Sequence, residues 1–126
     1  MGDYPSALEL AERLFAAIER GDAEAIREIY APGCVIWHNN DGATQAVEEN
    51  LRTLRWVIRN IAGVRYEEVR RQETPTGFVQ QHVLRGTAPN GQPLEVPACI
   101  VCTVEDGHIT RLDEYLDSAH LVALRG

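Results

Sequence analysis

Apolar positions in the first half of the chain recur with helical spacing. Ala7, Ala11, Leu14, Phe15 and Ile18 fall on one face of a helix. Ser6-Ala7-Leu8-Glu9 has the form of a capping box at its start, and Gly21 ends it. Asp22 can cap a second, short helix that buries Ala23, Ile26, Ile29 and Tyr30 and is stopped by Pro32-Gly33. Cys34-Val35-Ile36-Trp37-His38 is β-branched and aromatic and reads as a strand. After the turn residues Asn39 to Gly42, a third helix carries Val47, Leu51, Leu54, Ile58 and Ile61, and Gly63 closes it. The second half reads as four strands: Val64 to Glu73, Phe78 to Thr87, Leu94 to Glu105 and His108 to Leu116. Turn signals at Thr76-Gly77, Pro89-Asn90-Gly91 and Asp106-Gly107 separate them at hairpin spacing. A short helical stretch, Ser118 to Leu124, ends the pattern.

Helices followed by strands argue for an α+β fold. The expectation is a curved antiparallel sheet with three N-terminal helices on one face, forming a cone-shaped pocket. Val96 to Cys102 is apolar on both faces, and helices on one side cover only one of them. A second copy of the chain is the simplest cover, so a homodimer is expected.

Composition narrows the function classes. The 126 residues suit one domain, expected to span 1–126. At 44% hydrophobic and 25% charged, the chain is neither low-complexity nor disordered. Twelve basic against nineteen acidic residues give a net charge of −7, which disfavours nucleic acid and anionic membranes as partners. Apolar runs fall short of the ~18 residues that a membrane span needs. The N-terminal residues lack the marks of an export signal, and three cysteines form an odd set. Both point to reduced thiols in the cytoplasm.

Several motifs then bear on identity. They are Arg20-Gly21-Asp22 with Ala25 and Ile26, Ile29-Tyr30-Ala31-Pro32, and Val35-Ile36-Trp37-His38-Asn39. Toward the far end come Glu105-Asp106-Gly107-His108-Ile109-Thr110-Arg111 and Asp113-Glu114-Tyr115-Leu116-Asp117. In this order they resemble the SnoaL-like proteins of the nuclear-transport-factor-2 fold, along nearly the whole chain. The superfamily includes ketosteroid isomerase, limonene-epoxide hydrolase, scytalone dehydratase, polyketide cyclases and non-catalytic binding modules, so the resemblance implies a fold rather than one reaction. It places His38 where ketosteroid isomerase has its general-base Asp. Leu14 and Cys99 stand where that enzyme has the Tyr and Asp of its oxyanion hole. Glu114 stands at the second Asp of the Asp-Arg-Asp trio of limonene-epoxide hydrolase, whereas Gln80-Gln81-His82 replaces its Arg-x-Asp. His82 matches a catalytic His of scytalone dehydratase.

The residues themselves single out His38, His82 and Glu114, each in an otherwise apolar strand. Alternation groups Cys34, Ile36 and His38 on one face, Phe78, Gln80, His82 and Leu84 on another, and Leu112, Glu114 and Leu116 on a third. If these faces line one cavity, two imidazoles and a carboxylate converge in an apolar box. Imidazole exchanges protons near neutral pH, and a carboxylate in apolar surroundings can transfer a proton or orient a histidine. Trp37, Asn39 and Gln80 are candidates to hydrogen-bond a polar substrate atom, and Cys99, Leu112 and Leu116 complete the expected lining. The implied chemistry is dehydration, isomerisation or water addition on a small hydrophobic, cyclic molecule. Two alternatives stand beside it: a binding module for an apolar ligand, and an epoxide hydrolase with an altered trio and Asp117 as its second acid. Simpler roles also exist: His38 as a turn cap, His82 at a subunit interface, and Glu114 as a solvated strand residue.

Cys99-Ile100-Val101-Cys102 is a C-x-x-C, but in a strand its two thiols point to opposite faces and cannot share a metal. Without metal-ligand spacing, a P-loop or a dinucleotide-binding glycine pattern, the expectation is no metal and no cofactor.

Overall fold

The computed structural model describes residues 3–125. Its elements are α1 (Ala7–Arg20), α2 (Ala23–Ile29), β1 (Tyr30–His38), β2 (Thr44–Gln45), α3 (Val47–Asn60), β3 (Ala62–Thr74), β4 (Gly77–Thr87), β5 (Pro93–Glu105), β6 (His108–Leu116) and a 3-10 helix (Ser118–Arg125). The strands form one six-stranded sheet in the order β2-β1-β6-β5-β4-β3. The fold is α+β, as the hydrophobic pattern implies.

Local chemistry sets the helix starts. The Ser6 hydroxyl accepts from the Glu9 amide at 3.1 Å, and the Glu9 carboxylate accepts from the Ser6 amide at 3.3 Å. Asp22 caps α2 by accepting from the Ala25 amide at 3.1 Å. α2 ends at Ile29 and Tyr30 is already extended, so Tyr30 belongs to the first strand and not to the helix. Pro32 disfavours a helical Ala31, which forces the exit before the proline is reached. Pro32-Gly33 then lies within β1, where the pairing register shifts between Tyr30 and Val35.

The sheet is mixed rather than wholly antiparallel. β1 runs parallel to β6, while β3, β4, β5 and β6 form antiparallel hairpins. The hairpins follow from short turns. Asp106 and Gly107 both have positive φ, at 49° and 77°, the combination that joins twisted strands most tightly. β1 turns back only onto the two-residue β2, pairing Ile36 with Gln45 and Trp37 with Thr44. Its other edge pairs with the last strand, after the chain has built the rest of the sheet. β2 is two residues long, too short to show alternation in sequence.

One face of the sheet packs under α1 and α3. Leu10, Ala11, Leu14 and Phe15 of α1 and Leu51 of α3 meet Ile36, Phe78, Ile100, Cys102, Ile109 and Leu112 in one buried cluster. The Tyr30 hydroxyl donates to Asn50 at 2.9 Å, and the Asn50 amide donates to Gln45 at 3.1 Å, tying β1, α3 and β2 together. The apolar stripe of α3 is sealed most tightly at its two ends, with Ile61 buried beyond the last turn. Val47 and Leu51 are buried, whereas Leu54, Val57 and Ile58 are half-exposed. Leu54 packs against the main cluster, and Val57 packs with Leu84 and Leu116 against a second one formed by Ile61, Leu94 and Val96.

β3 contains a bulge. Its pairing with β4 shifts between Glu67 and Arg70, and Glu68 adopts a positive φ of 54°. Such a bulge bends the strand and changes which residues face the helices. Before it Tyr66 faces Leu84; after it Arg71 faces Gln80.

β4 and β5 lie tight against each other at Gly77, where a Cβ would come within 1.9 Å of the Cys102 carbonyl oxygen. Gly77→Ala should cost about 2 kcal/mol or more in urea unfolding, because backbone must move to admit the methyl group. Gly33→Ala meets no atom within 4 Å and should change stability by less than ~0.5 kcal/mol. Equal midpoints for the two variants would contradict the packing described.

Candidate active site

A single line of pairing crosses the sheet. His38 pairs with Glu114, Glu114 with Ile100, Ile100 with Gln80, and Gln80 with Arg71. All five side chains stand on the face that packs under the helices, because cross-strand partners share a face. In the next row, Leu116 pairs with Ala98 and Ala98 with His82. The three residues singled out by alternation thus occupy one side of one sheet.

The His38 Nε2 lies 3.1 Å from Glu114 Oε1, with the two side chains 19% and 21% exposed. Backbone bonds hold this pair in place. The Asn39 amide donates to the Glu114 carbonyl at 3.0 Å, and the Leu116 amide donates to Asn39 Oδ1 at 2.9 Å. The turn after His38 is closed by its own carbonyl, which accepts from the Gly42 amide at 2.9 Å. The His38 side chain is free for its partner. The hydrogen bond to Glu114 raises the His38 pKa above its ordinary value, against the opposing effect of burial. With Nε2–H held by the carboxylate, Nδ1 is left as the proton acceptor.

His82 sits in a different environment. It is buried, and the rings of Phe15 and Tyr66 meet it edge-on at 5.4 and 4.7 Å between centroids. Its Nδ1 lies 2.8 Å from Gln80 Nε2, and Gln80 Oε1 accepts from Arg71 Nε at 2.6 Å. Its Nε2 is buried with no hydrogen-bond partner. Leaving such a group unpaired costs on the order of 1–3 kcal/mol. Burial lowers the His82 pKa; the Glu114 carboxylate pulls upward, and Arg71 adds to the lowering. Tyr66 remains a neutral phenol because burial raises its pKa, with Glu114 and Glu19 acting in the same direction.

The remaining expected site residues divide. Leu112 is buried in the floor below the His38–Glu114 pair, and Leu116 is half-buried beside Ala98. Gln80 is fully buried and fully engaged between Arg71 and His82, so it supports the site rather than offering a free amide. Asn39 is committed to the Leu116 amide. Cys99 and Trp37 lie on the opposite face, which corrects their placement in the lining. Cys99 pairs with Tyr115 and Gln81, one residue out of phase with Ala98 and Ile100. Trp37 is the neighbour of His38 in a strand, so it must point away, and its ring packs against Tyr115 at 5.3 Å.

Cys102 is buried among the helix-facing residues, so the two thiols of the C-x-x-C do separate. Burial pushes the Cys34 thiol up to about 11, far from nucleophilic at neutral pH. Asp117 caps the 3-10 helix by accepting from the Ala119 amide at 2.9 Å, and Asp113 accepts from Arg111 at 2.9 Å. Asp113 pairs with Trp37 and Val101, so it lies on the face opposite Glu114. Among the described residues, no group of three or more His, Cys, Asp or Glu is arranged to hold a metal ion. No described helix is long and apolar enough to cross a membrane.

Two surface hollows lie away from the dyad. One, of about 730 Å³, is bounded by Tyr4, α1, α2 and the β5–β6 turn. The other, of about 600 Å³, runs over Val69, Gln81, Val83, Pro97, Cys99 and Tyr115 on the outer face of the sheet. Arg71 and Tyr66 were not among the expected site residues. The one sequence signal for Arg71 is that it belongs to Arg70-Arg71, a basic pair in an acidic chain.

Comparison with known proteins agrees with this architecture. No curated protein sequence matches the chain. Among solved structures, a proposed polyketide cyclase from Pseudomonas putida superposes with a TM-score of 0.82 at 19% identity, covering 94% of this chain and 96% of the other. IdmH, a proposed polyketide cyclase from Streptomyces antibioticus, gives 0.82 at 22% identity, covering 97% and 99%. A protein with a ketosteroid isomerase-like fold from Catenulispora acidiphila, solved with trimethylamine, gives 0.80 at 17% identity, covering 92% and 91%. At these identities the likeness shows a shared fold. The family model described as SnoaL-like domain matches residues 11–112, and the chain belongs to the SnoaL-like family.

Proposed function

We propose that the protein is a small-molecule enzyme that uses general acid–base chemistry on a small hydrophobic, cyclic substrate. The reaction is of the dehydration, isomerisation or water-addition type, and His38 is the base. The observation that carries this reading is the 3.1 Å contact between His38 Nε2 and Glu114 Oε1 at the edge of an apolar core. Glu114 orients the imidazole and balances the charge that His38 gains on taking a proton, the role a carboxylate plays in a catalytic triad. The partial exposure of the pair lets a substrate reach it, while Leu112, Leu116 and Ile100 provide an apolar floor. The proposed polyketide cyclases among the structural neighbours support a substrate of this kind. The three unpaired thiols fit a cytoplasmic setting.

The same reading includes a homodimer formed through the outer sheet face. That face exposes Val69, Val101 and Tyr115, with Trp37 packed behind Tyr115. Exposed apolar side chains on a face that the helices leave uncovered favour an interface there.

Three outcomes are expected. Deuterium exchange at the α-carbon of 2-tetralone, followed by proton NMR, should run faster with the protein. His38→Ala and Glu114→Ala should each lower that rate ~100-fold or more, and His108→Ala should leave it unchanged. No acceleration, or equal rates in all variants, would remove the catalytic assignment.

An NMR titration of His38 should show a midpoint above 6.5, and Glu114→Gln should bring it down. Because the folded value is the higher one, protonated His38 adds stability that is fully present below about pH 6.5 and lost as pH rises through the folded value. Glu114→Gln should flatten that dependence.

Sedimentation at micromolar concentration should give a dimer, and Val101→Asp with Tyr115→Asp should give a folded monomer. A monomeric wild type would sink the interface.

A further inference from the structure

We propose that Arg71 and Gln80 form a positioning pair that fixes the proton of His82 on Nε2, making His82 a hydrogen-bond donor to a carbonyl or enolate oxygen of the ligand. The catalytic part of this assignment rests on the acid–base reading above; the tautomer does not.

The donor–acceptor order allows one solution. Arginine has only donors, so the Gln80 atom 2.6 Å from Arg71 Nε is the carbonyl oxygen. The other end of the carboxamide is then its NH₂ group, which only donates. It lies 2.8 Å from His82 Nδ1, so Nδ1 must accept and carries no proton. The remaining proton of the neutral imidazole is on Nε2. Burial of the ring keeps it neutral, since charging it would take a cation out of water.

That Nε2–H has no partner in the protein and is shut away from water. Buried donors are almost always satisfied, so an orphan on an otherwise fully ordered chain of bonds points to a missing acceptor. The acceptor belongs to the ligand. Ala98, directly across from His82, is the small residue between Val96 and Ile100 on β5, and Leu116 beyond it is half-buried. The row His82, Ala98, Leu116 thus runs next to the row that holds His38 and Glu114. A carbonyl lying over Ala98 can place its oxygen at His82, and a ligand that also meets His38 must span β6 and β5, the two strands between β1 and β4. In such a ligand the C–H bond at a carbon conjugated with that carbonyl breaks, its proton passes to His38, and the electron pair moves through the conjugated system to the oxygen facing His82. His82 keeps its proton throughout, and no oxidant or reductant is needed. Arg71 is held for its task by Phe15, whose ring centre lies 5.8 Å from the guanidinium carbon.

The test separates the tautomer from turnover. Long-range proton–nitrogen NMR of labelled protein should show His82 with unprotonated Nδ1 and protonated Nε2 near pH 7.5. Arg71→Met frees the carboxamide to turn and should give a mixture of tautomers. Gln80→Glu replaces the donor with an acceptor and should move the proton to Nδ1. In binding titrations, 1-indanone should bind ~10-fold or more tightly than indane, and His82→Phe should abolish the preference. Protonated Nδ1 in the wild type, or an unchanged tautomer in Arg71→Met, overturns the positioning pair. Equal affinity for indanone and indane overturns the ligand assignment. None of these readouts requires exchange chemistry, so failure of the acid–base reading would be seen separately.

Discussion

Five strands meet in one register along His38, Glu114, Ile100, Gln80 and Arg71, and every polar group of the site depends on that line. Strand side chains alternate strictly, so a one-residue slip in any pairing would turn an imidazole or a carboxylate to the other side of the sheet. The register is held by burial. Phe78, Ile36, Leu112 and Ile100 must all face the helices, and the polar residues are carried along with them. The apolar core thereby dictates where the chemistry stands, although it takes no part in it.

The two histidines illustrate how environment divides one side-chain type into two roles. His38 is half-buried beside a carboxylate, and its charged form is favoured. His82 is buried among aromatic rings, and its neutral form is favoured. Titratable groups whose surroundings push them in opposite directions are a mark of sites that both take and stabilise charge. Membership of the SnoaL-like family explains the scaffold, not this division, since the fold is shared by proteins of many activities.

Much of this was legible in the chain. The capping box at Ser6, the turn at Asp106-Gly107 and the alternation within each strand that carries His38, His82 or Glu114 follow from local rules that the structure obeys, whereas their meeting on one face depends on the pairing between strands. Trp37 and Cys99 were grouped with the site by their chemistry, and alternation puts both on the other face. Arg71 was hidden for a different reason. The bulge at Glu68 breaks the period of two, so counting along β3 from Tyr66 does not lead to the residue that faces Gln80. The parallel pairing of β1 was also invisible, because it joins segments far apart in sequence and leaves no local signal.

That long-range pairing carries a consequence for how the molecule comes into being. On the ribosome, β1 is synthesised early; one edge can pair at once with the short β2, but the other must wait until β6 has emerged. Contacts of such wide separation make for slow folding and leave an unpaired edge open to wrong associations. The histidine and the carboxylate of the dyad come from those two strands. The contact between them therefore forms only once the last strand is in place, and a chain lacking β6 lacks Glu114 and with it the pair.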